Sequence, residues 1–295
     1  MMEHSNTDGP VLVAVEDPTH VQQLVRTAGD LARARSGAVR LVTVLVKPYD
    51  SPFGVFDDET ILRNFSGDSR ELLAKAKPPE GVVVERDVVV ARSVAGGVLK
   101  AVGETAPSAL VVGWLGLSRR SDAVFGTTVD KLIEKAPCDV YVERIGQEAN
   151  GVDSILVPVA GGPHVEAAAA VASAIADRND ARILVYSVAT PSFGTEGARE
   201  FVEAGSDTVK MTPPFGGPIE TKIETADDAT TAIIEESAAH DIVVLGATRK
   251  GPLRRRLVGS VAKQVVARTD ATVILARDAD VVRTPLQRLG ELLRR

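Results

Sequence analysis

The chain has one cysteine, Cys138, in 295 residues, so an intramolecular disulfide framework is excluded and a reducing compartment fits. Cys138 opens a strand-like segment, which makes packing its expected job. Aromatic residues are scarce at 4 % against 44 % apolar residues overall, so the cores must be built from aliphatic side chains. Long apolar runs are absent. The best of them, 167–176, is too short and too alanine-rich to span a bilayer. Met1 to Pro10 is polar and lacks the apolar stretch of a signal peptide. Basic charge is not in excess: the net charge of −6 argues against nonspecific nucleic-acid binding. A cytoplasmic protein without stable membrane insertion is expected.

Motifs of several enzyme classes are missing as well. There is no glycine-rich loop ending in G-K-[ST], no G-x-G-x-x-G, no His-x-Gly-His and no S-G-G-x-[DS]. No Ser/His/Asp or paired-carboxylate constellation stands out, and His4 and His240 have no partner at metal-ligand spacing.

What the chain does contain, it contains twice. The run Val11 to Val15 returns as Ile155 to Val159, displaced by 144 positions. Ser108 to Gly113 returns as Asp241 to Gly246, and Gly126-Thr127 as Gly259-Ser260, both displaced by 133. The closing strands, Val140 to Arg144 and Val273 to Arg277, keep that second offset. Two tandem copies follow, the first the longer in its middle. The expected organisation is a tail over 1–9, a first domain over 10–147, a second over 152–279 and a C-terminal amphipathic helix over 280–295. Each domain has the commonest domain size.

Within each copy, apolar runs alternate with amphipathic stretches. The first copy predicts strands at 11–15, 39–46, 82–90, 108–112 and 140–144, with helices at 19–35, 59–77, 94–104 and from 127. The second predicts strands at 155–159, 182–188, 219–224, 241–246 and 272–276, and helices at 163–177, 195–209, 227–239 and 260–268. Uninterrupted apolar strands with helical connections imply a mostly parallel sheet covered on both faces. Such sheets bind ligands at the carboxyl ends of their strands, where strand order reverses.

The fourth strand of the first copy runs into the pattern G-x2-G-x9-G-[ST], carried by Gly113, Gly116, Gly126 and Thr127, with Thr128 next. Glycine at a strand end permits φ > 0 and close approach of backbone to a ligand. A glycine opening a helix leaves free N–H groups and the positive end of the dipole for an anion. The threonines add hydroxyl donors or a cap.

The five-strand course, the short first strand ending in an acid and this glycine loop, all duplicated, together resemble the universal stress protein family in its tandem form. The resemblance covers roughly 10–144 and 153–277. It implies two Rossmann-like α/β domains, each a five-stranded parallel sheet of order 3-2-1-4-5 with helices on both faces. It also implies binding of ATP (or AMP or ADP), possibly with Mg²⁺, a regulatory rather than catalytic role in stress response, and pairing of domains through their last strands. Slow ATP hydrolysis, a homodimer and a ligand-free, transporter-associated scaffold stay open beside it. The family's adenine-contacting acid falls on Glu16, where aspartate is usual. Its apolar contacts fall on Val44 and Val112, and its phosphate contacts on Gly113, Gly116, Gly126, Thr127 and Thr128.

The second copy departs from this pattern. Ala160 replaces the acid, and Arg249 replaces the second loop glycine, while Gly246, Gly259 and Ser260 remain. Arg249, Lys250, Arg254, Arg255 and Arg256 crowd one loop, and cations can hold phosphate without glycines. A dead site, an altered nucleotide site and a partner surface are the three readings. His20 and His164 are equivalent first-turn positions, suited to touching phosphate or to facing solvent. Trp114 either covers the ligand or packs. Thr284-Pro285 starts a helix whose Leu286, Leu289, Leu292 and Leu293 form an apolar stripe. That stripe docks on the protein itself, on a partner or on an anionic membrane surface.

Overall fold

The structure, a computed structural model, describes residues 9–48, 52–114, 126–144, 151–247 and 258–281. Its first half contains β1 (Val11–Ala14), α1 (Val21–Ala34), β2 (Val39–Val46), α2 (Asp58–Phe65), α3 (Gly67–Ala74) and β3 (Val84–Ala91). These lead to α4 (Val94–Thr105), β4 (Ala109–Gly113), α5 (Thr127–Lys135) and β5 (Asp139–Arg144). The second half repeats the course with β6 (Ser154–Pro158), α6 (Val165–Asn179), β7 (Arg182–Ala189), α7 (Gly194–Met211) and β8 (Ile219–Thr225). It finishes with α8 (Ala229–Ser237), β9 (Ile242–Gly246), α9 (Ser260–Arg268) and β10 (Thr272–Arg277).

The ten strands form one sheet in the order β3-β2-β1-β4-β5-β10-β9-β6-β7-β8. Each half is parallel and ordered 3-2-1-4-5. The two meet where β5 and β10 pair antiparallel, with Val142 opposite Leu275. The sheet separates two aliphatic cores. One holds α1, α3, α6 and α7 against residues such as Val13, Val111, Val157 and Ile274. The other holds α4, α5, α8 and α9 against Leu110, Val140, Val243 and Leu275. Strands buried on both faces explain why their sequences show no polar alternation. The α1 stripe of Val21, Leu24, Val25, Ala28 and Leu31 is buried throughout. In α6 the small residues of the alanine-rich run face inward, and α6 packs on α1 across the junction.

One expected helix, 59–77, is two. Asp57 caps α2 by accepting the Thr60 N–H at 2.7 Å, and the chain breaks at Ser66. The buried Ser66 hydroxyl donates to the Leu62 carbonyl, and Gly67 follows with its backbone freedom. A local side-chain bond of this kind competes with helix continuation.

The junction carries a reciprocal pair of arginines at the ends of the two last strands. Arg144 Nη2 donates to the carbonyls of Thr269 and Ala271, the latter at 2.9 Å. Arg277 Nη2 donates to the Ala136 carbonyl at 2.7 Å. Thr269 and Ala136 are the C-caps of α9 and α5, so each repeat places a cation on the negative end of the other's helix. Nearby, the fully buried Glu143 accepts from Thr27 Oγ1 at 2.8 Å, and burial pushes its carboxyl above the usual carboxylate range.

Candidate functional site

In the first half, β1 lies between β2 and β4, so strand order reverses at its carboxyl end. Glu16 follows β1 there, with its side chain exposed. Ala14 of β1 is in register with Val112 of β4, which is buried, and half-buried Gly113 ends β4. Gly126 caps α5 with φ +86° and ψ 158°, a conformation that only glycine adopts freely. Glycine brings no capping side chain, so the N–H groups of the first turn remain available to an anion. Thr127 is exposed and Thr128 half-buried in that turn. Asp130, also there, has its carboxyl raised by burial, against the opposing pull of Lys263 from α9.

One of the two reasons expected for Gly113 does not hold. Its φ is not positive. A Cβ at this position would stand 3.1 Å from Leu24 Cδ1, so the glycine lets α1 pack closely on the end of β4. Val44 turns its side chain toward α4, where a Cβ on Gly97 would meet its Cγ1 at 2.5 Å. Trp114 packs against the core on the α4 and α5 face, and its backbone N–H donates to the Glu143 carbonyl at 2.9 Å. Gly116 lies outside the described residues.

In the second half, Ala160, Gly246, Gly259 and Ser260 gather around a cavity of about 430 Å³. Arg249 and the other cations of its loop lie outside the described residues, as does the leucine-striped segment from 284. Gly259 opens α9 with φ −65° and ψ 157°, ordinary extended backbone, unlike its counterpart Gly126. His164 is not the solvent-facing residue expected of a first turn. It is buried, and its Nδ1 accepts the Asp278 N–H at 3.1 Å, while His20 is only half-buried. Ala168 stands where Leu24 stands in the first repeat. A Cβ on Gly246 would meet His164 Cβ at 3.3 Å, whereas Leu24 covers the equivalent Gly113.

Cys138 is buried, and burial pushes its thiol up to about 11, which fits a packing residue rather than a nucleophile. Among the described residues no group of three His, Cys, Asp or Glu could hold a metal ion. No helix among them is long and apolar enough to cross a membrane.

A doubled parallel α/β unit with a glycine-opened helix in each half defines a class of paired Rossmann-like domains. The family model described as "Universal stress protein family" matches residues 9–144 and again 151–277, and the chain belongs to that family. It is 28 % identical over 257 residues to universal stress protein Rv2624c of Mycobacterium tuberculosis, covering 84 % of this chain and 89 % of the relative. It is 22 % identical over 280 residues to the Na(+)/H(+) antiporter NhaS5 of Synechocystis, covering 91 % of this chain but 38 % of the antiporter. Among solved structures, a functionally unknown protein from Pseudomonas aeruginosa shares the fold with a TM-score of 0.61 at 17 % identity, covering 97 % of this chain and 98 % of that one.

Proposed function

We propose that the first repeat binds an adenine nucleotide, ATP or its ADP or AMP forms, and that the bound nucleotide acts as a regulatory ligand in stress response. The carrying observation is Gly126: its φ of +86° opens α5 without a capping side chain, in the repeat whose β1 and β4 pair side by side. Backbone N–H groups at a helix start supply phosphate donors at the place where an open α/β sheet takes its ligand. In this reading Gly113, Gly116, Gly126, Thr127 and Thr128 hold the phosphates. Glu16 accepts from the adenine or ribose, and Val44 and Val112 flank the base. Mg²⁺ would enter with the polyphosphate. Regulation then rests on different nucleotide affinities of two states of the protein, and needs no chemistry.

The test is to denature freshly purified protein and quantify the adenine nucleotide released. Close to one per chain supports the reading, and a retained ATP fraction over hours supports a regulatory ligand against a hydrolase. A Gly116→Arg variant should then bind ATP at least about tenfold more weakly, about 1.4 kcal/mol. No released nucleotide and no binding at millimolar ATP would overturn it. The antiporter match favours a second reading for that outcome, an interaction module serving a transporter, with partner contact in place of the ligand.

A further inference from the structure

The cavity of the second repeat is large enough for a compact organic molecule, yet its walls are not those of the first site. At about 430 Å³ it lies in the size range of small-molecule pockets. Matching the repeats position by position shows four changes at this cavity. Ala160 stands for Glu16, removing the carboxylate acceptor that a base or ribose would use. Ala168 stands for Leu24, withdrawing a branched side chain from the wall. Tyr186 stands for Val42 and adds a buried aromatic ring, whose hydroxyl is already held by Glu224 Oε2 at 2.9 Å. Lys263 stands for Asp130 in the first turn of the helix, so a carboxylate beside the anion-favouring helix start becomes an ammonium.

These changes act in one direction. Polar recognition of a base is lost and an aromatic wall is gained at Tyr186, beside Val188, Ile233 and Leu245, which also line the cavity. The opposite end keeps Gly259 and Ser260 at the start of α9, with Lys263 one turn on. Helix N–H groups and a nearby cation favour a negative head group. We infer that this cavity binds a compact amphiphilic anion: an aromatic or branched aliphatic body carrying one carboxylate or phosphate head. The body lies against Tyr186, and the head meets Ser260 and Lys263. This assignment does not rest on nucleotide binding by the first repeat, although Lys263 also faces the Asp130 carboxylate in the first turn of α5.

The experiment titrates the full chain with 1-naphthyl phosphate, 1-naphthoate and neutral 1-naphthol, by calorimetry, with and without saturating ATP. One saturable equivalent of an anionic probe is expected, undisplaced by ATP, with the neutral alcohol weaker by about tenfold or more. The tighter of the two anions identifies the head group. Lys263→Gln should weaken the anion by about fivefold or more while leaving naphthol unchanged, the split that a merely structural role would not give. Ala168→Leu, which restores the first repeat's residue, should weaken all three probes by about tenfold or more. Ala160→Glu, at an exposed position that leaves folding undisturbed, should repel the anions alone. Absence of saturable binding would overturn the inference, as would displacement by ATP one for one. So would anion affinities unmoved by Lys263→Gln and Ala160→Glu together.

Discussion

Gly126 and Gly259 occupy equivalent places in the two repeats but different backbone conformations, and replacing each with alanine separates torsional strain from loss of a loop glycine. At Gly126, φ is +86° and ψ 158°, while a Cβ would meet nothing within 4 Å. Steric clash therefore contributes nothing, and the whole cost of Gly126→Ala is conformational, about 1–3 kcal/mol for a residue forced into a glycine-only region. Reduced freedom of the unfolded chain returns about 0.4–1 kcal/mol. The net expectation is a destabilisation of about 1–2 kcal/mol, or relaxation of the α5 start with an about tenfold loss of ATP affinity. At Gly259, φ is −65°, which alanine adopts without strain, so Gly259→Ala should be neutral or stabilising by about 0.5 kcal/mol. Urea unfolding followed by the fluorescence of Trp114, the single tryptophan, reads both variants, with far-UV circular dichroism as a second probe. Equal destabilisation by the two substitutions would refute the argument from backbone conformation. So would a Gly126→Ala protein that keeps both full stability and full ATP affinity.

Two further outcomes follow from the buried charges. Arg277→Met keeps the apolar stem but leaves the buried Ala136 carbonyl without its cationic donor, so urea unfolding should show a loss of about 2–3 kcal/mol; a loss under about 0.5 kcal/mol would sink the clamp. Burial pushes the Asp30 carboxyl up to about 6, against the opposing pull of Arg33. Between about pH 4 and 6 the folded chain therefore keeps a proton that the unfolded chain has released, and this contribution to stability falls as pH rises through that window. Asp30→Asn should raise stability by about 2 kcal/mol at pH 7 and change little at pH 4, and an equal effect at both pH values would refute it.

The elements that were legible in the sequence are those governed by local pattern. Strands buried on both faces must be largely apolar, so β1, β2 and β7 stand out with near-correct ends, and the repeat doubles each signal. Alternation of strand and helix then leaves little topological choice. What escaped depends on groups brought together only by folding. Ser66 breaks a helix because a carbonyl one turn back accepts its hydroxyl. Gly113 looked like a residue chosen for its conformational range, whereas its neighbour across the packing is Leu24. His164 and His20 read as equals, yet His164 is buried where its Nδ1 meets the Asp278 N–H and His20 is only half-buried. Arg144 and Arg277 were visible as a repeated residue, but the helix ends they serve belong to the opposite repeat. The size of the second cavity was hidden for the same reason, because Ala160 alone suggested loss rather than a new shape.

The antiparallel joint between β5 and β10 has a consequence for assembly. The strand by which one such domain could join another is already occupied within the chain. The sheet's remaining margins are β3 and β8, at opposite ends of the ten strands. Both bristle with charge: Glu85, Arg86 and Asp87 on one, Glu220, Lys222 and Glu224 on the other. Charged margins discourage addition of another strand. The fused pair thus carries its strand-to-strand joint within one polypeptide, with a charged strand at each margin. Charge at both margins therefore turns any contact between copies of this chain toward helices and loops rather than strand addition.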